Sequence, residues 1–325
     1  MRRSLQSLFQ ASAPLVGLAL ILCLCAVYGH FYKPEASFFS AHRLALIAKQ
    51  TAIVGTGALG MTAVVAAGGI DLSVGALLAL TSVTLAQALA AGWSAPVALL
   101  ATFAVGTLAG ALNGALVTRL KLAPFIVTLG TMLFFRGLAE TLADERKIAA
   151  EAPPWLAGLL DPPLAGSLQL FPAGVWLILI LGFLLSLVLR RTVFGRQVFA
   201  IGSSEPTARL CGVAVLRRKV EVYALCGAFL SLAGVLEFDN LNGQGSPTSG
   251  IGAELGIIAA VVIGGGSLSG GRGSVLGSLA GALMITTLAA GCAYAEISEP
   301  VQKIVTGAII VAAVALDRTR TGRGT

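Results

Sequence analysis

Residues 52–91 read AIVGTGALGMTAVVAAGGIDLSVGALLALTSVTLAQALAA, two apolar runs separated only by Gly68-Gly-Ile-Asp-Leu-Ser-Val-Gly75. The only ionisable side chain in this stretch is Asp71. A transmembrane helix needs about 20 largely apolar residues. The stretch therefore predicts two membrane-spanning helices joined at a break, where paired glycines weaken the helix and a carboxylate is costly at membrane depth.

The composition of the whole chain indicates the same class of protein. Of its 325 residues, 56% are hydrophobic and only 11% are charged, whereas soluble proteins carry roughly 25% charged residues. The chain also has 40 glycines, which suit the close helix packing of membrane proteins. These values exclude an ordinary water-soluble domain and favour an integral membrane protein.

Ten apolar runs predict an all-α polytopic membrane protein of about ten transmembrane helices, with broken or re-entrant segments. The first run is long for a signal peptide and lacks a small-x-small cleavage site, so we predict a retained helix. The predicted spans are residues 14–31, 44–67, 72–91, 95–118, 124–142, 173–189, 220–237, 253–266, 274–292 and 301–316.

The net charge of +7 comes from cations that lie between the apolar runs. With the N-terminus inside, ten spans leave only Lys33, Arg43, Arg146 and Lys147 on the outer side. The positive-inside rule then predicts a bacterial cytoplasmic (inner) membrane protein with both termini in the cytoplasm. The cations form no patch suited to nucleic acid, so none is expected as a partner.

The chain is predicted to form a single transmembrane domain over residues 1–317, followed by a disordered basic tail over residues 318–325. Its longest loops are an outer segment, residues 143–172, and a basic cytoplasmic segment, residues 190–219. Residues 106–116 resemble residues 273–283, and the two predicted helices run in opposite directions. This similarity fits an inverted repeat of a transporter, or a likeness between two Gly/Ala/Leu-rich helices.

The break at residues 68–75 has two interpretations. It is either a broken helix beside a translocation path, because irregular backbone at membrane depth usually lines a cavity, or a tight turn that Asp71 or Ser73 caps. We favour a structural role for Asp71 within a functional region. Asn113, in the fourth predicted span, is a further polar residue at membrane depth.

A second segment is Gly195-Arg-Gln-Val-Phe-Ala-Ile-Gly-Ser-Ser-Glu-Pro-Thr-Ala-Arg-Leu-Cys-Gly-Val213 in the basic inner loop. Here Ser204 suits a helix cap, Pro206 the first helical turn and Gly212 the helix end. A short helix at this place could dock into a soluble partner. An ordinary positive-inside loop is the alternative, and the charge pattern by itself favours it.

The third segment is Ile263-Gly-Gly-Gly-Ser-Leu-Ser-Gly-Gly-Arg-Gly-Ser274. Its glycines could suggest a phosphate-binding loop, but the chain has no G-x-x-x-x-G-K-[ST] motif and the segment lies between two apolar spans. We interpret it as a glycine-rich break between helices. The five cysteines and two histidines show no metal-ligand spacing or catalytic pattern, so we expect neither a metal site nor an enzyme.

These three segments, in this order and spacing, resemble the ribose-type permeases of ABC importers, within the wider group that includes branched-chain amino-acid permeases. The resemblance covers most of residues 45–315. It rests on residues 68–75, on residues 113–137 with Asn113-Gly and Lys121-Leu-Ala-Pro-Phe-Ile-Val-Thr-Leu-Gly130, on residues 195–213 and on residues 252–277.

The resemblance implies a permease subunit that translocates a monosaccharide or related polyol. Its partners would be an ABC ATPase, an extracytoplasmic solute-binding protein and a second permease copy, identical or paralogous. ATP would bind to the partner ATPase, with no cofactor in this chain. The implied coupling residues are Gly195, Arg196, Gly202, Ser204, Glu205, Pro206, Ala208, Arg209 and Gly212. Those of the path or helix breaks are Gly68, Gly69, Asp71, Ser73, Gly75, Asn113, Gly264, Gly265 and Gly266.

Three alternatives remain open at this point. An ABC permease for an amino acid or nucleoside would differ only in its solute. A proton- or sodium-coupled secondary transporter would need carboxylates deep in the spans, for which Asp71, Glu140 and Glu254 are candidates. A channel or scaffold without energy coupling leaves the short capped helix of the inner loop unexplained.

Overall fold

A computed structural model of the chain describes residues 2–33, 37–162 and 171–321. Helices dominate these residues, and the two strands are each two residues long. The strands are β1 (Ile148–Ala149) and β2 (Gln244–Gly245), which pair antiparallel. The helices are α1 (Arg2–Tyr32), α2 (Ala41–Ala66), α3 (Val74–Ala90), α4 (Ala95–Leu120), α5 (Pro124–Leu142), α6 (Ala173–Arg191), α7 (Val193–Ser203), α8 (Glu205–Leu210), α9 (Val215–Asn240), α10 (Ala253–Ile263), α11 (Val275–Tyr294) and α12 (Glu299–Thr321).

The prediction of an all-α polytopic membrane protein is confirmed. Each predicted span coincides with one helix, and seven helices of the described residues are long and apolar enough to cross a membrane: α1, α2, α4, α5, α6, α9 and α11. Two apolar helices are shorter, since α3 has 17 residues and α10 has 11. The number of crossings, ten, therefore stays a prediction.

Helix α9 lies at the centre of the bundle, where it packs against α4, α2 and α3. Glycines make this packing close. A Cβ atom on Gly227 would overlap the carbonyl oxygen of Gly106, and one on Gly110 would overlap the carbonyl oxygen of Tyr223. Small residues at these positions bring the helix backbones into contact, which is how membrane helices gain packing energy without a hydrophobic driving force.

Close packing at a glycine also occurs in the second half of the bundle. A Cβ atom on Gly281 of α11 would overlap the carbonyl oxygen of Ala260 in α10. Helix α11 also meets α2 through a buried hydrogen bond of 2.7 Å from Thr62 to Ser278. The two segments that resemble each other, residues 106–116 and 273–283, thus both present glycines to a neighbouring helix. An inverted repeat stays a prediction.

Two predicted loop regions are only partly described. Helix α12 continues to Thr321, into the segment 318–325 that was predicted to be disordered, and residues 322–325 lie outside the described residues. Within the outer segment 143–172, residues 163–170 also lie outside them. The described part folds back onto the bundle, because Leu156 and Leu160 are buried and the Leu160 amide donates to Asp239 at 2.7 Å.

The sequence did not predict the course of residues 241–252, which connect α9 to α10. After pairing with β1, this segment enters the bundle and runs along α3. Gly245 lies against Val83, and Gly250 lies against Gly75 at the start of α3. Its backbone is non-helical within the bundle, where it is buried against protein on at least one side, as such backbone must be at membrane depth.

Candidate functional site

The inner-loop motif forms two short helices, α7 and α8, that meet at Ser204. We call this pair of helices the corner. Thr192 caps α7, with its hydroxyl accepting from the Gly195 amide at 3.3 Å. The hydroxyl of Ser204 accepts from the Thr207 amide at 3.3 Å, and Pro206 lies in the first turn of α8. The helix stops at Gly212, whose φ of +81° suits a residue without Cβ. The predicted short capped helix is confirmed.

Ion pairs attach this corner to the bundle. The carboxylate of Glu205 accepts from Lys219 at 2.6 Å and from Arg209 at 2.7 Å. Because Lys219 belongs to the second turn of α9, the first of these pairs links α8 to the central helix. The hydrogen bond from Lys219 is the main cause that lowers the pKa of Glu205 below its usual value, so this carboxylate is charged at neutral pH.

One face of α8 packs against neighbouring helices, and the other face is exposed. Ala208 is buried under the corner, where it packs with Ile201 and Val215. Leu210, in contrast, is 89% exposed, and Arg209 is exposed beside it. An exposed leucine next to an arginine at the tip of a held helix offers a partner an apolar contact with a charged rim.

The three glycine-rich motifs meet at one place, which we call the glycine joint: Gly68, Gly202, Gly270 and Gly271. The Gly271 amide donates to the carbonyl oxygen of Ala66 at 3.0 Å. A Cβ atom on Gly202 would overlap both the Ala66 oxygen and the Gly271 nitrogen. The end of α7 is therefore in backbone contact with both helix breaks, the one after α2 and the one after α10.

The geometry of the joint requires glycine on each side. Gly270 has a φ of +88°, and a Cβ atom there would lie 2.8 Å from Cα of Gly68 and 2.9 Å from Cα of Gly202. No larger residue fits without displacing backbone, because real Cβ atoms do not approach that closely. Three backbones thus touch at the joint with no flexible side chain between them.

Asp71 holds the first break together from inside. Its carboxylate accepts from the Ser73 amide at 2.8 Å and the Ser73 hydroxyl at 2.6 Å. Asn113 of α4 donates to Ser73 Oγ at 2.8 Å and to Asp71 Oδ2 at 3.4 Å. All three side chains are fully buried. The arrangement matches the turn-forming role favoured for Asp71, and it connects the break to α4.

The remaining predicted path residues are packing glycines. A Cβ atom on Gly69 would lie 2.7 Å from the Tyr223 hydroxyl, and one on Gly264 would overlap Gly277 at the start of α11. Gly265 turns the chain with a φ of +91°, and Gly266 lies against Val261. The structure thus places Gly68 in the joint and Gly264 against the start of α11, and the place of the break residues beside a translocation path stays a prediction.

Sequence reasoning missed how Arg136 is used. Glu140, four residues later, could have been its partner on the same helix face, but Arg136 Nη1 donates to the carbonyl oxygens of Pro247 and Ser249. The sequence held no clear signal for this contact, because the glycines at positions 243, 245, 250 and 252 are equally typical of a surface loop. In the described ranges, no group of three His, Cys, Asp or Glu side chains is arranged to hold a metal ion.

Comparison with known proteins gives a consistent result. Residues 43–314 match the model of a family described as branched-chain amino acid transport system / permease component. The chain is 36% identical to the ribose import permease of Bacillus subtilis, over 96% of this chain and 94% of the relative. The fructose import permease of Rhizobium meliloti is 37% identical over 95% and 85%. The autoinducer 2 import permease of Photorhabdus luminescens is 33% identical over 95% and 91%. No solved structure matches the chain.

Proposed function

Because this chain belongs to the family of branched-chain amino acid transport system / permease components, we propose that it is the membrane-spanning subunit of an ATP-driven importer for a monosaccharide or related polyol. The observation that carries this proposal is the similarity to import permeases for ribose, fructose and autoinducer 2, which extends over 95% or more of the chain. A branched-chain amino acid is the second candidate solute, because the family description names it.

We assign one partner to the cytoplasmic face of the molecule and one to its outer face. An ABC ATPase, which would bind ATP, docks on α8 from the cytoplasm. A solute-binding protein docks on the outer face, and a second permease copy completes the membrane core. The basic loops and Arg196, Arg217 and Arg218 near α8 support a cytoplasmic position for this end of the bundle and for both chain termini, in the inner membrane of a bacterium.

The mechanism uses the contacts of the corner. Closure of two ATPases on ATP displaces α8. The Glu205–Lys219 ion pair passes this displacement to α9, and Gly202 passes it to the breaks at Gly68 and Gly270. Since α9 packs against α2, α3 and α4, a shift of the corner changes the arrangement of half the bundle. Affinity for the solute resides mainly in the binding protein.

The direct test is uptake into proteoliposomes that hold this chain, its ATPase and its binding protein. We expect one labelled pentose, hexose or polyol to accumulate only when ATP is present. A panel that includes leucine, isoleucine and a nucleoside separates the second candidate and the nucleoside alternative. Accumulation that ignores ATP and follows a proton or sodium gradient would reject the ABC assignment in favour of the ion-coupled transporter.

Reversing the charge of Glu205 should uncouple the ATPase from transport. In Glu205→Arg, the new cation faces Arg209 and Lys219, so α8 loses its link to α9. We expect uptake to fall by about tenfold or more, the scale of losing a charge-assisted hydrogen bond and creating repulsion. The measurement is uptake per ATP hydrolysed at equal amounts of inserted protein.

The matched control is the double variant Glu205→Arg/Lys219→Glu, which restores an opposite-charge pair at the same place. It should recover a substantial part of the lost uptake, as a double-mutant cycle for a direct pair predicts. If Glu205→Arg transports normally, or if the swap restores nothing, the ion pair does not carry the coupling.

A further inference from the structure

The connection from α9 to α10 places polar groups at membrane depth. Arg136 lies about 18 Å along α5 from Pro124, at 1.5 Å per residue, within a hydrocarbon core that is about 30 Å thick. Its guanidinium holds two carbonyl oxygens of the connecting segment, those of Pro247 and Ser249. The segment is therefore fixed at this depth by a charged side chain.

The two hydrogen bonds to the connecting segment use only part of the donor capacity of Arg136. A guanidinium has five N–H donors, and both bonds to the segment come from Nη1. Arg136 is only half-buried. Two carboxylates, Glu140 and Glu254, are close enough for their charges to act on it. Among the described residues, the Arg136 cation thus keeps N–H donors, and the Glu254 carboxylate keeps oxygens, without a hydrogen-bond partner.

Glu254 lies where the segment reaches the start of α3. A Cβ atom on Gly75 would lie 2.7 Å from Glu254 Oε2 and would overlap the Gly250 carbonyl oxygen. Glycine at position 75 therefore makes room for the carboxylate. Glu254 itself is half-buried, as Arg136 is.

The exposed side of the segment combines polar groups with a large apolar side chain. Thr248 and Gly252 are exposed at membrane depth together with Ile251, which is 72% exposed. Backbone outside a helix and ionisable side chains at this depth occur where they line water or contact protein, because hydrocarbon offers them no hydrogen bonds. The exposed side of the segment therefore borders water or another protein surface, such as that of the second permease copy.

We propose that Arg136, Thr248 and Glu254 contact the solute during its passage, as a membrane-depth site for a neutral polyhydroxylated molecule. Each sugar hydroxyl can accept from the Arg136 guanidinium and donate to the Glu254 carboxylate or to a carbonyl oxygen. The Glu254 carboxylate beside the Arg136 cation disfavours an anionic solute. This inference rests on the proposed importer function and adds the residues that meet the solute.

The first experiment measures uptake per ATP hydrolysed in the complete importer with Glu254→Gln. This change keeps the size of the side chain but removes the charged acceptor. We expect the ratio to fall about tenfold, the scale of one charge-assisted hydrogen bond, while ATP hydrolysis stimulated by the loaded binding protein stays within about twofold of the parent. Glu140→Gln is the matched control, since it also removes a charge that acts on Arg136. Unchanged uptake in Glu254→Gln, or an equal loss in both variants, overturns the inference.

The second experiment needs no known solute. In a chain with Cys23 and Cys211 replaced by serine, Thr248→Cys is treated in proteoliposomes with a small water-soluble thiol reagent. Only the thiolate reacts, and it forms only in contact with water. We expect labelling at least about tenfold faster than for Leu108→Cys, which is exposed on α4. Equal, slow labelling of both thiols overturns the aqueous path.

The two experiments separate the inference from the proposed function. A parent importer that takes up no solute on addition of ATP contradicts the function, and the labelling still decides whether the path is aqueous. A parent that transports normally beside an unaffected Glu254→Gln variant contradicts only the solute contact.

Discussion

Replacing Gly202 by alanine is expected to abolish ATP-dependent uptake. The added Cβ atom would overlap the carbonyl oxygen of Ala66 and the amide nitrogen of Gly271, and neither of these backbone atoms can rotate away as a side chain could. Overpacking of a close-packed interior costs about 1–3 kcal/mol even where side chains can adjust. Here the backbone of α7 must withdraw, and the hydrogen bond between Gly271 and Ala66 breaks with it.

The expected consequence is loss of transmission, together with reduced stability. With the corner displaced from both breaks, ATP hydrolysis would continue without uptake, and we expect uptake to fall below about a tenth of the parent value, since about 1.4 kcal/mol already corresponds to a factor of ten. Gly202→Trp should act in the same direction and more strongly. Membrane insertion is measured in parallel by the yield of purified, monodisperse protein.

Gly273→Ala is the matched control for the glycine joint. Gly273 lies in the same glycine-rich segment, but a Cβ atom there would meet Ala66 Cβ at 3.4 Å, an ordinary van der Waals distance. This variant should transport at close to the parent rate. Normal transport in Gly202→Ala would show that the joint is not part of the coupling, and equal failure of both variants would indicate general fragility of the segment.

Most helices of the bundle could be predicted because their apolar runs are long enough to determine their own structure in a bilayer. Residues 124–142, for example, coincide with α5 from end to end. The connection over residues 241–252 could not be predicted, because its glycines and hydroxyls are equally typical of a surface loop. Arg136, which lies more than a hundred residues earlier in the chain, supplies two of the hydrogen bonds that hold its buried course, and Glu237 accepts another from Ser249.

The candidate site, like the fold, could be predicted only in part. Local signals located the pieces: Ser204, Pro206 and Gly212 predicted α8, and the paired glycines with Asp71 predicted the break after α2. Their meeting depends on tertiary contacts that have no sequence signal. Nothing about Gly202 by itself indicates that its neighbours are Gly68 and Gly270, and the resemblance to known permeases was the only reason to select it.

Substitutions of Asp71 distinguish an ATP-driven importer from an ion-coupled transporter, and Asp71→Ala and Asp71→Asn should differ sharply in uptake. In Asp71→Ala, the buried amide and hydroxyl of Ser73 and the amide of Asn113 lose an acceptor, at a cost of about 1–3 kcal/mol for each unsatisfied group. We expect the variant to fold poorly, with a clearly lower unfolding temperature in detergent and little uptake. The measurements are thermal unfolding and ATP-dependent uptake per amount of reconstituted protein.

Asp71→Asn separates a structural carboxylate from an ion-coupling one. Its amide oxygen can still accept both hydrogen bonds from Ser73, and only the longest contact, 3.4 Å from Asn113 Nδ2 to Asp71 Oδ2, is lost. A turn-forming role therefore predicts that Asp71→Asn retains at least about half of the parent uptake, because the hydrogen-bond geometry survives. An ion-coupled transporter would lose uptake completely, since an amide cannot take up and release a proton or neutralise sodium. A folded Asp71→Asn variant without uptake would thus favour the ion-coupled mechanism. Retained uptake would instead support ATP-driven transport that is coupled through α8 and the glycine joint.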